Sequence, residues 1–298
     1  MDVIKHRFIY IGIATALVVL AIAVMAGFGF RFGIDMEGGA LWQVSVSEVT
    51  AESLEAELNA GAGLEDARVT RDERDGTFWV RMPERADSAH RADFVALKSA
   101  HSDAREVSFQ SIGPSVSGEL RSRAIWAIIL VLLGISLYIA YAFRGVSRPV
   151  SSFTYGWVTL LTLVHDVAIP AGLLAILGRF AAVDLDTNFI VALLVVMGFS
   201  VHDTIVVFDR IRENLIRHGS KESFGNIIKE SVQQTIARSI NTSFTLVLVL
   251  VSLWLIGPVS LRYFSLIMLV GVVAGTYSSI FVASPALYLV ASREKREK

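Results

Sequence analysis

The chain has no cysteine among its 298 residues. That excludes a disulfide framework, thiol catalysis and any Cys-ligated metal. It holds no G-x-x-x-x-G-K-[ST] loop to cradle nucleotide phosphates and no H-E-x-x-H pair to bind zinc. Gly198-Phe199-Ser200-Val201-His202 fails the G-x-S-x-G pattern at its fifth position, so an intramembrane hydrolase has little support. Charge is scarce, at 18% of residues, and the net charge is −1, so nothing points to a nucleic-acid partner. Neither cofactor nor metal is expected, and the chain is not expected to be an enzyme. Its work must draw on another subunit or on an ion gradient.

Apolar residues are abundant instead: 53% of the chain is hydrophobic. A spanning helix needs roughly 20 of them to cross a hydrocarbon core of about 30 Å. Six runs are long enough: Phe8–Phe30, Ala124–Phe143, Phe153–Gly178, Asn188–Phe208, Ser239–Gly257 and Tyr263–Leu289. Val24 and Ala26 offer a small-residue cleavage pattern, so a signal peptide is the alternative for the first run. Its apolar core is longer than the roughly 7–15 residues of a signal core. Basic residues set the orientation. Lys5 and Arg7, Arg144 and Arg148, the group Arg210, Arg212, Arg217, Lys221 and Lys229, and finally Arg293, Lys295, Arg296 and Lys298 fall on one side. Only Arg179 and Arg262 fall in the opposite short loops. Both termini are therefore expected in the cytoplasm, with the charged stretch after the first span outside.

That outer stretch reads as β-α-β-β-α-β, a ferredoxin-like split βαβ. Leu41–Ser47 alternates as a strand, and Thr50 caps a helix Ala51–Ala60 that Gly61 stops. Ala67–Arg71 and Thr77–Met82 flank a turn at Asp75-Gly76. A helix His90–Ala100 and a strand Glu106–Ile112 follow. The expected organisation is a first transmembrane helix in 1–30, the extracytoplasmic domain in 31–123, five helices in 124–291 and a basic tail in 292–298. A cytoplasmic loop at 209–230 is expected to form a short amphipathic helix or helix pair. The fold class is an α-helical polytopic membrane protein carrying one small α+β domain.

Charged groups inside a membrane are costly, at roughly 2.5–3.5 kcal/mol each by insertion scales, so those present work or pair. On the third run Thr159, Thr162 and Asp166 share a face, with His165 beside them. On the fourth, Ser200, Asp203, Thr204 and Val207 do; on the fifth, Ser231, Thr235, Arg238, Thr242 and Thr245 do. The three stripes are expected to meet inside the bundle. At 1.5 Å per residue, Asp203 lies about 24 Å and Arg238 about 28 Å from the outer ends of their runs. Shared depth and opposite charge point to an Asp203–Arg238 pair. Desolvation favours a neutral acid and a nearby guanidinium favours the carboxylate, so making and breaking that pair would carry a proton. A structural ion pair is the competing reading, and so is Arg238 reaching to the headgroups. His165-Asp166 reads equally as a local hydrogen-bonded contact, and His202 as a satisfied polar contact. In the last run, Gly271, Gly275, Ser279 and Ala283 stand four apart, which reads as helix packing. Pro170 and Pro285 are expected to kink their helices.

These residues also carry a family resemblance. Gly33-Ile34-Asp35-Met36-Glu37-Gly38-Gly39 resembles the G-[IL]-D-F-x-G-G element of the SecD/SecF family, and Ile112-Gly113-Pro114 through Leu120 resembles its V-G-P-x-V-G-x-[DE]-L. Gly33, Asp35, Gly38, Gly39, Gly113 and Pro114 match as structural motif residues, and Gly271 and Gly275 match in the final helix. His165-Asp166 matches the third-span H-D. GFSVHDTIVVFDRIREN and SVQQTIARSINT closely resemble stretches of the SecF branch. Met36, Glu37, Ser117 and His202 depart from the usual residues. The resemblance implies a bundle like half of an RND transporter in the bacterial cytoplasmic membrane. It implies SecD as the other half, association with the SecYEG channel and often YajC, and unfolded preprotein as substrate. It gives Asp203 and Arg238 a proton-pathway role, with Asp166, His165 and His202 as further candidates. A half-RND exporter of lipids or small molecules would need a larger outer domain. A scaffold that conducts no protons is the other alternative.

Overall fold

The computed structural model describes residues 2–61, 64, 66–72, 75–145, 150–218, 221–258 and 261–294. Arg148, Gly219, Lys295, Arg296 and Lys298, which enter the charge and loop readings above, lie outside these. The chain divides into two compact units, Phe32–Ile125 and the remainder.

In the first unit the order is α2 (Ile34–Glu37), β1 (Gly39–Ser45), α3 (Ala51–Gly61), β2 (Arg68–Arg71), β3 (Phe78–Met82), α4 (Asp87–Ala100) and β4 (Arg105–Ile112). The strands form one antiparallel sheet in the order β2-β3-β1-β4. Alternation in β1 buries Ala40, Trp42 and Val44, against Phe78, Val80 and Met82 of β3 and Leu54, Leu58 and Leu97 of the helices. Thr50 caps α3 as expected: its Oγ1 accepts from the Ser53 N–H at 3.2 Å. Trp42 is fully buried and its Nε1 donates to Glu106 Oε2 at 2.9 Å. His90 Nε2 lies 2.6 Å from the same oxygen, with its ring stacked on Phe109.

The two glycine-bearing elements meet at one corner of this unit. Gly39 pairs with Ile112 across β1 and β4. Gly38 and Gly39 have φ of +85° and +118°, backbone that only glycine adopts at ease. A Cβ at Gly39 would lie 2.9 Å from the Met82 carbonyl oxygen, and one at Gly38 3.3 Å from that of Ile112. Ile34 and Met36 are buried between these turns, so the short α2 acts as a plug.

Among the described residues, six helices are long and apolar enough to cross a membrane: α1 (Arg7–Phe28), α5 (Pro114–Ala142), α6 (Ser152–Ala181), α7 (Thr187–His218), α8 (Phe224–Ile256) and a last span from Arg262. That last span is α9 (Arg262–Ser278), a π-turn (Ser279–Ala283) and α10 (Ser284–Glu294). Several ends differ from the apolar runs. Helix α5 starts ten residues before its run, and α7 and α8 run past theirs into the 209–230 stretch. Polar helix formers continue these helices where hydropathy stops. Asn214 ties the two together by donating to Ser231 Oγ and Gln234 Oε1, both at 2.9 Å. No separate helix forms between them among the described residues.

Burial sorts the spans. Helices α6, α7 and the last span bury 56%, 50% and 56% of their apolar windows, against 11% for α1 and α5 and 17% for α8. Small residues let the central helices close. A Cβ at Gly271 would sit 2.5 Å from Val196 Cγ2, and one at Gly172 2.8 Å from Ala21 Cβ. Pro170 lies inside α6, which continues through it.

Replacing Gly39 with Ala would force a side chain into left-handed backbone and onto the Met82 carbonyl. We expect Gly39→Ala to cost about 1–3 kcal/mol of local stability, seen as earlier protease cutting of the outer unit on heating the full chain in detergent. An unchanged cutting temperature would show that the corner relaxes.

Candidate functional site

The site lies where α6, α7 and the last span pack. Asp166 is fully buried on α6. Its Oδ1 lies 2.8 Å from His165 Nδ1, the local contact weighed above. Its Oδ2 accepts from Ser278 Oγ at 2.8 Å and from Ser200 Oγ of α7. One carboxylate thus ties three spans together. Asp203, buried on α7, has one hydroxyl partner: Ser279 Oγ donates to its Oδ2 at 2.6 Å. Ser278 and Ser279 are consecutive, and the π-turn begins between them.

Burial alone would make either carboxylate expensive, and hydroxyl donors are what a low-dielectric site offers in place of water. Most other hydroxyls in these spans are spent on their own helices. Thr159 donates to the Tyr155 carbonyl, Thr162 to that of Thr159 and Thr235 to that of Ser231. The carboxylates therefore hold Ser200, Ser278 and Ser279, not the threonine stripes. Ser243 and Thr276 pair at 2.6 Å between α8 and α9. The hydroxyls of Thr204 and Ser239 and the Nε2 of His165 are buried without a partner among the described residues.

Two of the three expected stripes face inward. Thr159, Thr162, His165 and Asp166 are all buried, and so are Ser200, Asp203, Thr204 and Val207. The third does not stay inside. Ser231 and Thr235 are buried, but Arg238, Thr242 and Thr245 are exposed. The expected Asp203–Arg238 pair is not made. Asp203 lies about 22 Å before the end of α7 and Arg238 about 21 Å after the start of α8, so the depth is shared. The faces differ: α8 keeps Ser239 and Ser243 inward, following Ser231 and Thr235 at intervals of four, and Arg238 falls off that face. His202 is exposed as well, since neighbouring helical residues point about 100° apart and Asp203 takes the inward direction. Among the described residues neither the Arg238 guanidinium nor the His202 ring meets a partner.

The residues that sequence reasoning missed are Ser278 and Ser279. In the Gly271-Gly275-Ser279-Ala283 series Ser279 looks like one more small packing residue. A Ser-Ser pair within an apolar run, close to Pro285, was the available signal. Gly271 and Gly275 do pack as expected, against Val196 and Ser200.

Comparison with known proteins places this arrangement. Residues 94–293 match the family described as protein export membrane protein SecD/SecF, C-terminal. The chain is 41% identical over 296 residues to the protein translocase subunit SecF of Thermobaculum terrenum, covering 95% of this chain and 92% of that one. It is 36% identical to that of Anaerolinea thermophila, covering 99% and 96%. The crystal structure of SecDF, a translocon-associated membrane protein from Thermus thermophilus, superposes with a TM-score of 0.84 at 31% identity. That match covers 99% of this chain and 39% of the SecDF chain.

Gly275 sets the distance between α9 and α7. A Cβ there would lie 2.9 Å from Ser200 Cβ. Gly275→Ala should cost about 1–3 kcal/mol, read as a lower unfolding temperature in detergent. Adding Ser200→Gly removes the opposing Cβ and hydroxyl but also a donor to Asp166, so the double variant should lose less than the sum of the two single variants. Strictly additive losses would mean that the two helices do not meet at this point.

Proposed function

From the premise that the chain belongs to the SecD/SecF family, and to its SecF members, we propose that this multi-pass protein translocase subunit works with SecD to promote late preprotein translocation at the expense of the proton motive force. The observation that carries the reading is the pair of buried carboxylates. Asp166 and Asp203 sit in the packed core of an apolar bundle, held by hydroxyls from the last span. Titratable groups at such depth are the usual substance of proton relays. The chain itself performs no covalent reaction; it couples proton movement to a change of shape. One charge crossing 100 mV supplies about 2.3 kcal/mol, enough to bias a conformational equilibrium.

SecD is the partner that α8 calls for. Gln234, Arg238, Asn241, Thr242 and Thr245 form an exposed polar stripe on a spanning helix. Lipid tails offer the Arg238 guanidinium no acceptor, whereas a neighbouring spanning helix does. Relatives named SecDF, from Thermus thermophilus and Brucella abortus, match this chain over 40% and 36% of their lengths, which supports the SecD relationship. On this reading the bundle is half of an RND-like whole. Arg238 acts across the interface with SecD at the depth of Asp203. The outer unit, whose β-α-β-β-α-β order supports a ferredoxin-like description, meets emerging unfolded preprotein. SecYEG, and YajC beside it, complete the assembly in the bacterial cytoplasmic membrane. Both termini lie in the cytoplasm, as the basic residues around Lys5, Arg144 and Arg210 suggest.

The test is export of a reporter preprotein in cells depleted of their own SecF, with the levels of this chain and of SecD matched. The unaltered chain should restore export. Asp203→Asn should not, and its residual export should no longer respond to an uncoupler. Equal rescue by both forms would replace the relay with a scaffold role.

A further inference from the structure

The last span donates hydrogen bonds to both buried carboxylates of α6 and α7, and it does so through consecutive residues. Ser278 Oγ donates to Asp166 Oδ2 and Ser279 Oγ to Asp203 Oδ2. In a regular α-helix neighbouring side chains diverge by about 100°, and here that divergence spans the gap between α6 and α7. The π-turn starts at Ser279. Such turns carry one residue more than the α-helix and recur at functional sites. Pro285, just after it, has no N–H and would crowd the carbonyl four residues back; the wider turn accommodates both facts.

Each serine has a second acceptor. Ser279 Oγ lies 3.1 Å from the Thr276 carbonyl oxygen, and Ser278 Oγ 3.1 Å from that of Gly275. A hydroxyl owns one hydrogen and two lone pairs. Against an ionised Asp203, Ser279 gives that hydrogen to Oδ2. Against a protonated Asp203, the new O–H donates to Ser279 Oγ, and the serine hydrogen swings to the Thr276 carbonyl. Both states are satisfied with no water and no movement of the heavy atoms. Ser278 has the same choice between Asp166 and Gly275.

We propose that Ser279 is a positioning residue that serves Asp203 in both protonation states, and that Ser278 does the same for Asp166, two consecutive hydroxyls reaching carboxylates on different spans. The proposal rests on the relay reading above for its functional consequence, but its geometry stands apart from that reading.

The experiment is infrared difference spectroscopy between acid and alkaline pH on the full chain assembled with SecD in lipid vesicles, run beside the export assay. Asp203→Asn identifies the C=O band of protonated Asp203. Ser279→Ala should move that band to higher frequency, because its hydrogen-bonding partner is gone. Export should fall about tenfold, the scale of one hydrogen bond to a charged group. Ser279→Thr keeps the hydroxyl and should retain both band and export, and Ser278→Ala should leave the Asp203 band in place. Should Ser279→Ala fold poorly, Ser279→Cys, with its weak S–H donor, should give a smaller shift in the same direction. An unmoved band in Ser279→Ala, with Asp203→Asn inactive, overturns the positioning role and leaves the relay. A shifted band with Asp203→Asn fully active sinks the relay and keeps the positioning role. The absence of any Asp203 band throughout the titration overturns both.

Discussion

A carboxylate with no water around it must be met by donors from the protein, and the membrane unit is arranged about that requirement. Asp166 is fully buried and takes hydrogen bonds from α7 and α9 while touching the histidine beside it. Those contacts demand that three spans come close together. Closeness in turn demands glycine where α9 crosses α7, since a methyl group at Gly271 or Gly275 would overlap Val196 or Ser200. The same three spans bury about half of their apolar windows, and α1, α5 and α8 take peripheral positions. Small residues, central helices and buried acids are thus one design seen at three scales.

The periphery is not uniform. Helices α1 and α5 expose Phe8, Leu20, Leu130 and Leu137, side chains at home among lipid tails. Helix α8 exposes Gln234, Arg238, Asn241 and Thr242 beside apolar Ile240, Phe244 and Leu248. Charged groups are rare on spanning helices that face lipid, which sets this polar stripe of α8 apart from α1 and α5. The outward turn of Arg238 is then no defect of packing. Among the described residues the bundle meets Asp166 and Asp203 with its own hydroxyls and turns Arg238 outward.

Much of this was legible in the residues. The alternation of Trp42, Val44 and Val46 announced a half-buried strand, and Thr50 announced the start of α3. Apolar length found all six spans. It did not find their ends, because α5, α7 and α8 continue through polar residues that keep a helix going while lowering the hydropathy. Periodicity gave faces but not which face looks inward, so the stripes of α6 and α7 were placed correctly while Arg238 was not. A stripe that starts buried at Ser231 and emerges at Arg238 reflects how one helix leans on its neighbours, information that a single helix does not hold. Ser278 and Ser279 escaped for another reason. Serine is both small and polar, and in a run spaced by glycine the packing role hides the hydrogen-bonding one.

The two prolines of the central spans bear on how such a site moves. Pro170 follows Asp166 by four residues, so the backbone carbonyl of Asp166 loses the helical N–H that would otherwise bond it. Pro285 stands two residues beyond the π-turn, whose wider hydrogen bonding accommodates it. The backbone ladder of α6 is therefore interrupted beside Asp166, and that of the last span changes pattern at Ser279, which holds Asp203. Helices bend most easily where their ladder is interrupted, while the glycine contacts at Gly271 and Gly275 resist separation of α7 from α9. Bending of α6 and of the last span at fixed helix spacing is therefore the motion that this packing opposes least. That kind of motion can change which hydroxyl faces which carboxylate without opening the bundle to lipid.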